Sequence, residues 1–252
     1  MQAEAPALWP AGFGRRVLAS VDSTSAEALR RAAEAPLWVL AHKQTAARGR
    51  RGRTWSMPPG NFAASLIWRP RADPAGMALR SFAASLALHD VLAGLGVRGL
   101  ALKWPNDVLL EGGKLAGILL ESPLPGLLVL GIGINLARAP DPAVLEPGAT
   151  PPISLLEATG LRVAPEAMLD HLAPAFARRE SQLATEGFAS LRLEWLAQAA
   201  RLGEAITART MTETIAGTFE DVDDTGHLVL RTADGRRRIA AAEVHFGAAP
   251  CS

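Results

Sequence analysis

Only three lysines stand among the 26 basic residues, and two of them frame one stretch, Lys103-Trp104-Pro105-Asn106-Asp107 followed by Lys114-Leu115-Ala116-Gly117-Ile118-Leu119. In a chain otherwise committed to arginine, two retained ammonium groups suggest places that want a compact point charge instead of a planar fork. Upstream, Arg48-Gly49-Arg50-Arg51-Gly52-Arg53 puts four guanidinium groups around two glycines. Side-chain forks and backbone N–H groups there can close together on an anion, and phosphate is the expected one. Taken alone, such a run is as often a solvated loop or a nucleic-acid contact. Its neighbours add Gln44, an amide that both donates and accepts, and Trp55, an apolar lid.

Other residue types offer less chemistry. Gly131-Ile132-Gly133-Ile134-Asn135 closes an apolar run with two glycines one residue apart, which fits close approach of a ligand or simple packing. A third glycine and a following helix are missing, so this is no dinucleotide fingerprint. The histidines at 42, 89, 171, 227 and 245 lack metal-ligand spacing. Ser23 and Thr24 have no histidine partner nearby, so helix capping or polar recognition explains them better than nucleophilic catalysis.

These residues need a scaffold. Thr24 followed by Glu27 has the form of a capping box, predicting a helix to residue 35 with its positive end at Ser23 and Thr24. Residues 37–41 and 61–68 read as strands, 43–60 as a loop, and 77–95 as a helix. Over 100–135 short apolar runs at 100–103, 108–110, 115–120 and 127–134 predict strands, with Gly112-Gly113 as a tight turn. After a proline-rich connection at 140–152, helices are expected at 165–183 and 188–199, with Pro165 in the tolerated first turn. Beyond Gly203, runs at 206–210, 215–219, 228–232, 238–240 and 244–246 predict a small β-barrel, with turns at Asp224-Thr225-Gly226 and Asp234-Gly235. The expected domains are therefore 1–203 and 204–252.

Bulk properties narrow the class. With 252 residues, 49% hydrophobic and 20% charged, the chain reads as a globular protein. A net charge of +1 creates no global field, so any anion site has to be local. The single cysteine, Cys251, rules out a disulfide framework or a cysteine metal cluster. No signal-peptide pattern and no uninterrupted apolar span is present, so a cytoplasmic protein is expected.

Together, Ser23-Thr24, Gln44, the arginine loop, Trp55, the two lysine segments and Gly133-Ile134-Asn135 resemble the biotin protein ligases in order and spacing from about residue 20 to 136. The likeness extends more weakly to Ala242-Glu243-Val244. It implies an α/β catalytic fold of the class II aminoacyl-tRNA synthetase and biotin–lipoate ligase type, a mixed sheet with flanking helices, and an SH3-like C-terminal barrel. It also implies use of ATP and Mg²⁺ to make biotinyl-5'-AMP, then transfer of biotin to a lysine of a biotin carboxyl carrier protein.

By the same resemblance Lys114, Arg50 and Arg48 are catalytic. Ser23, Thr24, Ser25, Gln44, Arg48, Gly49, Arg50, Lys114, Gly117 and Gly133 would bind biotin. Arg50, Arg51, Arg53, Trp55, Lys103, Asn106, Asp107 and Asn135 would face the adenylate, with Asp107 as the magnesium contact. A loop mobile until it meets its ligand is expected at 48–53, and a homodimer is allowed for. Ala47 and Ser25 depart from the family pattern: glycine is usual at the first, where a positive φ would be strained, and asparagine at the second. With 22 residues before Ser23, a winged-helix DNA-binding domain is not expected, and hence no repressor function. The rivals are a lipoate ligase or transferase and, in another class, a nucleic-acid-binding module.

Overall fold

The computed structural model describes residues 8–70, 74–141 and 149–246; Cys251 and the middle of the proline-rich connection lie outside them. The strands β1 (Gly14–Leu18), β2 (Leu37–Ala41), β3 (Phe62–Trp68), β4 (Leu100–Lys103), β5 (Asp107–Leu110), β6 (Gly113–Leu124) and β7 (Leu127–Ile134) form one sheet. Its order is β1-β2-β3-β7-β6-β5-β4. β1 runs parallel to β2, and the remaining ladders are antiparallel. β2 and β3 are buried on both faces, which is why their sequences are continuous apolar runs without alternation.

Helices α1 (Thr24–Arg30), α2 (Pro74–Ala78), α3 (Arg80–Gly94), α4 (Leu155–Thr159), α5 (Pro165–Glu186) and α6 (Phe188–Ala197) divide between the two faces. α3 and α5 cover one, where Trp38, Phe62, Leu66, Leu86, Leu88 and Phe176 join the main core. α1 packs on the other, against Val39, Ile67 and Val129. Arg80, 4% exposed, ties α3 to α5 through Glu180 at 2.8 Å, while burial raises the Glu180 carboxyl above its ordinary value.

A second, antiparallel sheet holds β8 (Ala205–Arg209), β9 (Thr214–Val222), β10 (Leu228–Thr232), β11 (Gly235–Ile239) and β12 (Glu243–His245), in the order β11-β10-β9-β8-β12. The five strands anticipated after Gly203 are all present. The same hydrophobic cluster continues into them through Ile206, Phe219, Leu230 and Val244. Trp104 Nε1 donates to the Gly226 carbonyl at 3.0 Å, and Arg192 pairs with Asp221 across the same junction.

Local chemistry shifts three expectations. Ser23, not Thr24, caps α1: its backbone is extended and its Oγ accepts from Ala26 N–H at 3.5 Å, while the Thr24 hydroxyl is engaged elsewhere. Glu27 therefore falls outside the capping-box position and pairs with Arg30 and Arg31. The β5–β6 turn uses Glu111 and Gly112, at φ 48° and 77°, with Leu110 opposite Gly113. Gly113 is thus a strand residue, where a Cβ would lie 2.9 Å from Ile153 Cβ. The predicted helix over 77–95 is divided at Leu79 between α2 and α3. β1 and α4 had no sequence forecast.

Candidate active site

A ladder register builds the floor of the site. Asp107 lies opposite Gly117, Gly117 opposite Gly133, and Gly133 opposite Ala63, so one row crosses β5, β6, β7 and β3 on the face that carries α1. Trp55 lies on this row: a Cβ at Gly133 would come within 2.6 Å of the indole, and one at Gly117 within 3.0 Å. The glycines are therefore needed for close approach, as their spacing implied.

Lys114 reaches the same face because β6 carries an irregularity. Val108 pairs with Ala116 but Leu109 with Lys114, which skips one residue and re-aims the side chain. Its Nζ lies 2.7 Å from Asp107 Oδ1 and 5.7 Å from the centroid of the Trp55 ring. Asn135 braces this strand from below, its Nδ2 donating to the carbonyls of Lys114 at 3.3 Å and Ile153 at 3.2 Å. It is 2% exposed and absent from the cavity wall, contrary to the expected adenylate contact.

The row floors a cavity of about 480 Å³, lined at one end by Ser23, Thr24, Ser25 and Gln44 and at the other by Lys103, Asn106 and the arginine loop. The first end is a hydroxyl chain. Ser65 Oγ donates to Thr24 Oγ1 at 2.8 Å, Thr24 Oγ1 to Gln44 Oε1 at 3.1 Å, and Thr24 N–H to the same oxygen at 2.7 Å. Ser25 Oγ stands 3.1 Å from Ser65 Oγ, and a Cβ on Gly131 would be 2.9 Å from it. Ser65 was missed from sequence; its signal is a lone hydroxyl in an otherwise apolar, buried strand.

At the other end Arg48 pairs with Thr54 as a β-bridge, closing 48–54 into a narrow hairpin. Gly49 N–H donates to the Arg53 carbonyl at 2.7 Å. Gly52 and Arg51 both take positive φ, 74° and 57°. Ala47 does not, so the strain foreseen there is absent. Arg50 Nη1 donates to Asn106 Oδ1 at 3.2 Å, and burial lowers its guanidinium below the ordinary value. Arg53 instead grips Glu243 with both ends of its fork, at 2.8 and 2.6 Å, and Arg51 approaches the same carboxylate at 3.9 Å. The four guanidinium groups do not converge on one point, as the sequence suggested: a carboxylate from the second sheet holds the outer two.

Lys103 is 7% exposed, donates to Thr150 Oγ1 at 2.6 Å and lies 4.8 Å from the Phe246 ring centroid. Burial lowers its ammonium below the usual lysine value. Thr150 and Phe246 are further residues without a sequence signal. The expected magnesium contact fits poorly as a resident site. Asp107 is already ion-paired, and among the described residues no three His, Cys, Asp or Glu side chains come together as ligands.

Polar donors at one end, an ammonium in the middle and guanidinium groups at the other suit a ligand with a polar head and an acidic tail joined to a phosphate. Comparisons with known proteins agree. Residues 17–136 match the Biotin/lipoate A/B protein ligase family and residues 202–247 the Biotin protein ligase C terminal domain. A biotin--[acetyl-CoA-carboxylase] ligase of Paracoccus denitrificans is 56% identical over 92% of this chain and 100% of its own length. The bifunctional ligase/repressor BirA of Bacillus subtilis is 33% identical, over 92% of this chain and 72% of its own. Among solved structures, the Aquifex aeolicus biotin protein ligase in complex with biotin and ATP has a TM-score of 0.80 at 23% identity, with 92% of this chain and 97% of that one covered. The Leishmania major biotin protein ligase in complex with biotinyl-5-AMP has a TM-score of 0.60 at 25% identity, with 90% and 99% covered. Relatedness at this level over a whole relative, together with the fold, shows that the chain belongs to the biotin protein ligases, enzymes that form an amide bond.

Proposed function

We propose that the cavity carries both half-reactions of an ATP-dependent biotin ligase: biotin becomes biotinyl-5'-AMP, and the acyl group then passes to a lysine of a biotin carboxyl carrier protein. The observation that carries this is the position of Lys114, above the Gly117–Gly133 floor and between the hydroxyl chain and the arginine hairpin.

The ureido head has N–H and C=O groups that match Ser23, Thr24, Ser25 and Gln44. A dithiolane ring would offer that hydroxyl chain nothing to bond. Arg48, Gly49, Arg50 and Lys114 then stand at the carboxylate, where positive charge offsets the repulsion between a carboxylate oxygen and the α-phosphate it attacks. That attack releases pyrophosphate. In the second step the carrier amine attacks the acyl carbon, the C–O bond to phosphate breaks and AMP leaves. Lys103, Asn106, Asp107 and Trp55 flank the nucleotide side, and Arg51 and Arg53 line the same end of the cavity while also meeting Glu243. Magnesium enters with ATP as part of the substrate, and no step is assigned to it.

A named relative acts on acetyl-CoA carboxylase, which supports a carrier domain of that enzyme as partner. No described helix is long and apolar enough to cross a membrane, and ATP-linked carboxylase modification suits a cytoplasmic place of work. Biotin-dependent pyrophosphate release, combined with calorimetric titration of biotin against lipoate, tests the reading. Release with biotin and binding of biotin alone are expected; binding of lipoate alone would overturn it. The homodimer is decided separately by sedimentation of the purified protein.

A further inference from the structure

We propose that Glu243 is a latch that holds the arginine hairpin shut over the reaction cavity, so that the second sheet controls how long the activated intermediate is retained. Glu243 lies at the start of β12, 190 positions beyond Arg53 in sequence, and meets both ends of the Arg53 fork at 2.8 and 2.6 Å. Arg51 adds its charge at 3.9 Å. The residue before it, Ala242, is fully buried and offers its carbonyl to Arg50 Nη1 at 3.5 Å.

Two adjacent residues thus meet three of the four arginines in the hairpin. A planar fork on a carboxylate fixes orientation as well as distance, which a single point contact does not. The Arg53 guanidinium, with burial opposing it, holds the Glu243 carboxyl down to about 2, in keeping with a pairing that persists at neutral pH. The hairpin has a built-in reason to need such a clasp: Arg51 sits at φ 57°, a conformation that costs a non-glycine residue free energy and persists only when its surroundings impose it.

The division of labour follows. Arg48 and Arg50 remain at the cavity for the carboxylate and phosphate, whereas Arg51 and Arg53 spend their charge on Glu243. The latch is a positioning device and touches no reacting atom. Its consequence is kinetic: a shut hairpin keeps water and stray amines from the mixed anhydride until the carrier arrives.

This inference rests on the ligase reading, and its test is arranged to separate the two. In the ligand-free protein, trypsin cleavage after Arg48 to Arg53 is followed by mass spectrometry for the wild type, Glu243→Gln and the charge-swapped pair Arg53→Glu with Glu243→Arg. Cleavage up to about fivefold faster in Glu243→Gln and restored protection in the swapped pair are expected, since a partly exposed charged pair is worth about that factor at most. In a second arm, the protein loaded with labelled biotin and ATP is separated from free ligand, and escape of biotinyl-5'-AMP is timed. Escape up to about fivefold faster in Glu243→Gln, with a smaller loss in pyrophosphate release, is expected. Equal cleavage and equal escape in wild type and Glu243→Gln would overturn the latch, and so would a swapped pair that stays as open as the single variant. If Glu243→Gln fails to fold, Arg53→Gln breaks the same clasp from the loop side and is read the same way. Absence of pyrophosphate release in the wild type would refute the ligase reading while leaving the proteolysis arm to decide the latch.

Discussion

Among the described residues, Lys114 and Asp107 form the one cavity ion pair in which both partners come from the first sheet, at 2.7 Å. Lys114→Ala is expected to slow adenylate formation about a hundredfold, the usual size of losing one preorganised charge at a developing anion. Biotin-dependent pyrophosphate release measures it, and an unchanged rate would contradict the role of Lys114. At the other end of the cavity Ser65 donates to Thr24, which in turn donates to Gln44. Ser65→Ala removes the first bond and frees the Thr24 and Ser25 hydroxyls to rotate, at a cost of about 1 kcal/mol. Calorimetry should show biotin binding weakened roughly fivefold, with the Kd for ATP unchanged; a biotin Kd equal to that of the wild type would exclude Ser65 from the relay.

Individual elements explain why some of the site was legible and some was not. The glycines at 117 and 133, Trp55 and Lys114 are near neighbours in space because three ladder pairs across four strands align the floor beneath them, and a strand pattern with an adjoining glycine signals that much. The skipped residue in β6 that turns Lys114 to the cavity has no sequence mark, since it comes from how two strands settle against each other. β1 escaped notice because Gly-Arg-Arg-Val-Leu at a sheet edge shows neither alternation nor a buried run. Asn135 looked like a ligand contact because it ends a glycine-rich strand, yet it is buried and its amide nitrogen is taken up by two backbone carbonyls. The arginine hairpin was recognised, while its clasp was not, because Glu243 is a long-range partner. That clasp has a pH signature. The Glu243 carboxyl titrates near 2 when folded and near 4.5 when free, so its contribution is present above about pH 4.5 and is lost as pH falls toward 2. Arg53 is 41% exposed, so the contribution is about 1 kcal/mol or less. Urea midpoints at pH 6 and pH 3 should differ less in Glu243→Gln than in the wild type, and an identical difference would show that the carboxylate contributes nothing.

For the whole molecule, the boundary expected at residue 203 separates two sheets but not two cores. One cluster runs from Leu86 and Trp195 through Phe219 to Val244, and Gly226 in the turn between β9 and β10 packs against Phe82 and Leu79, where a Cβ would come within 3.0 Å. Trp104, adjoining the lysine segment, reaches across to the Gly226 carbonyl, so separating the sheets would leave its buried N–H without that partner. Shared apolar burial of this kind makes unfolding of one part expose the other. A single calorimetric transition is therefore expected, with the calorimetric and van't Hoff enthalpies nearly equal. A chain ending at residue 203 should be unstable, because Ile206, Phe219, Leu230 and Val244 no longer cover the cluster and each large buried side chain contributes about 2 kcal/mol. Two resolved transitions, or a truncated chain that melts like the intact one, would mean that the second sheet is an appendage. A single transition instead makes it a structural part of the cavity wall that Ala242 and Glu243 complete.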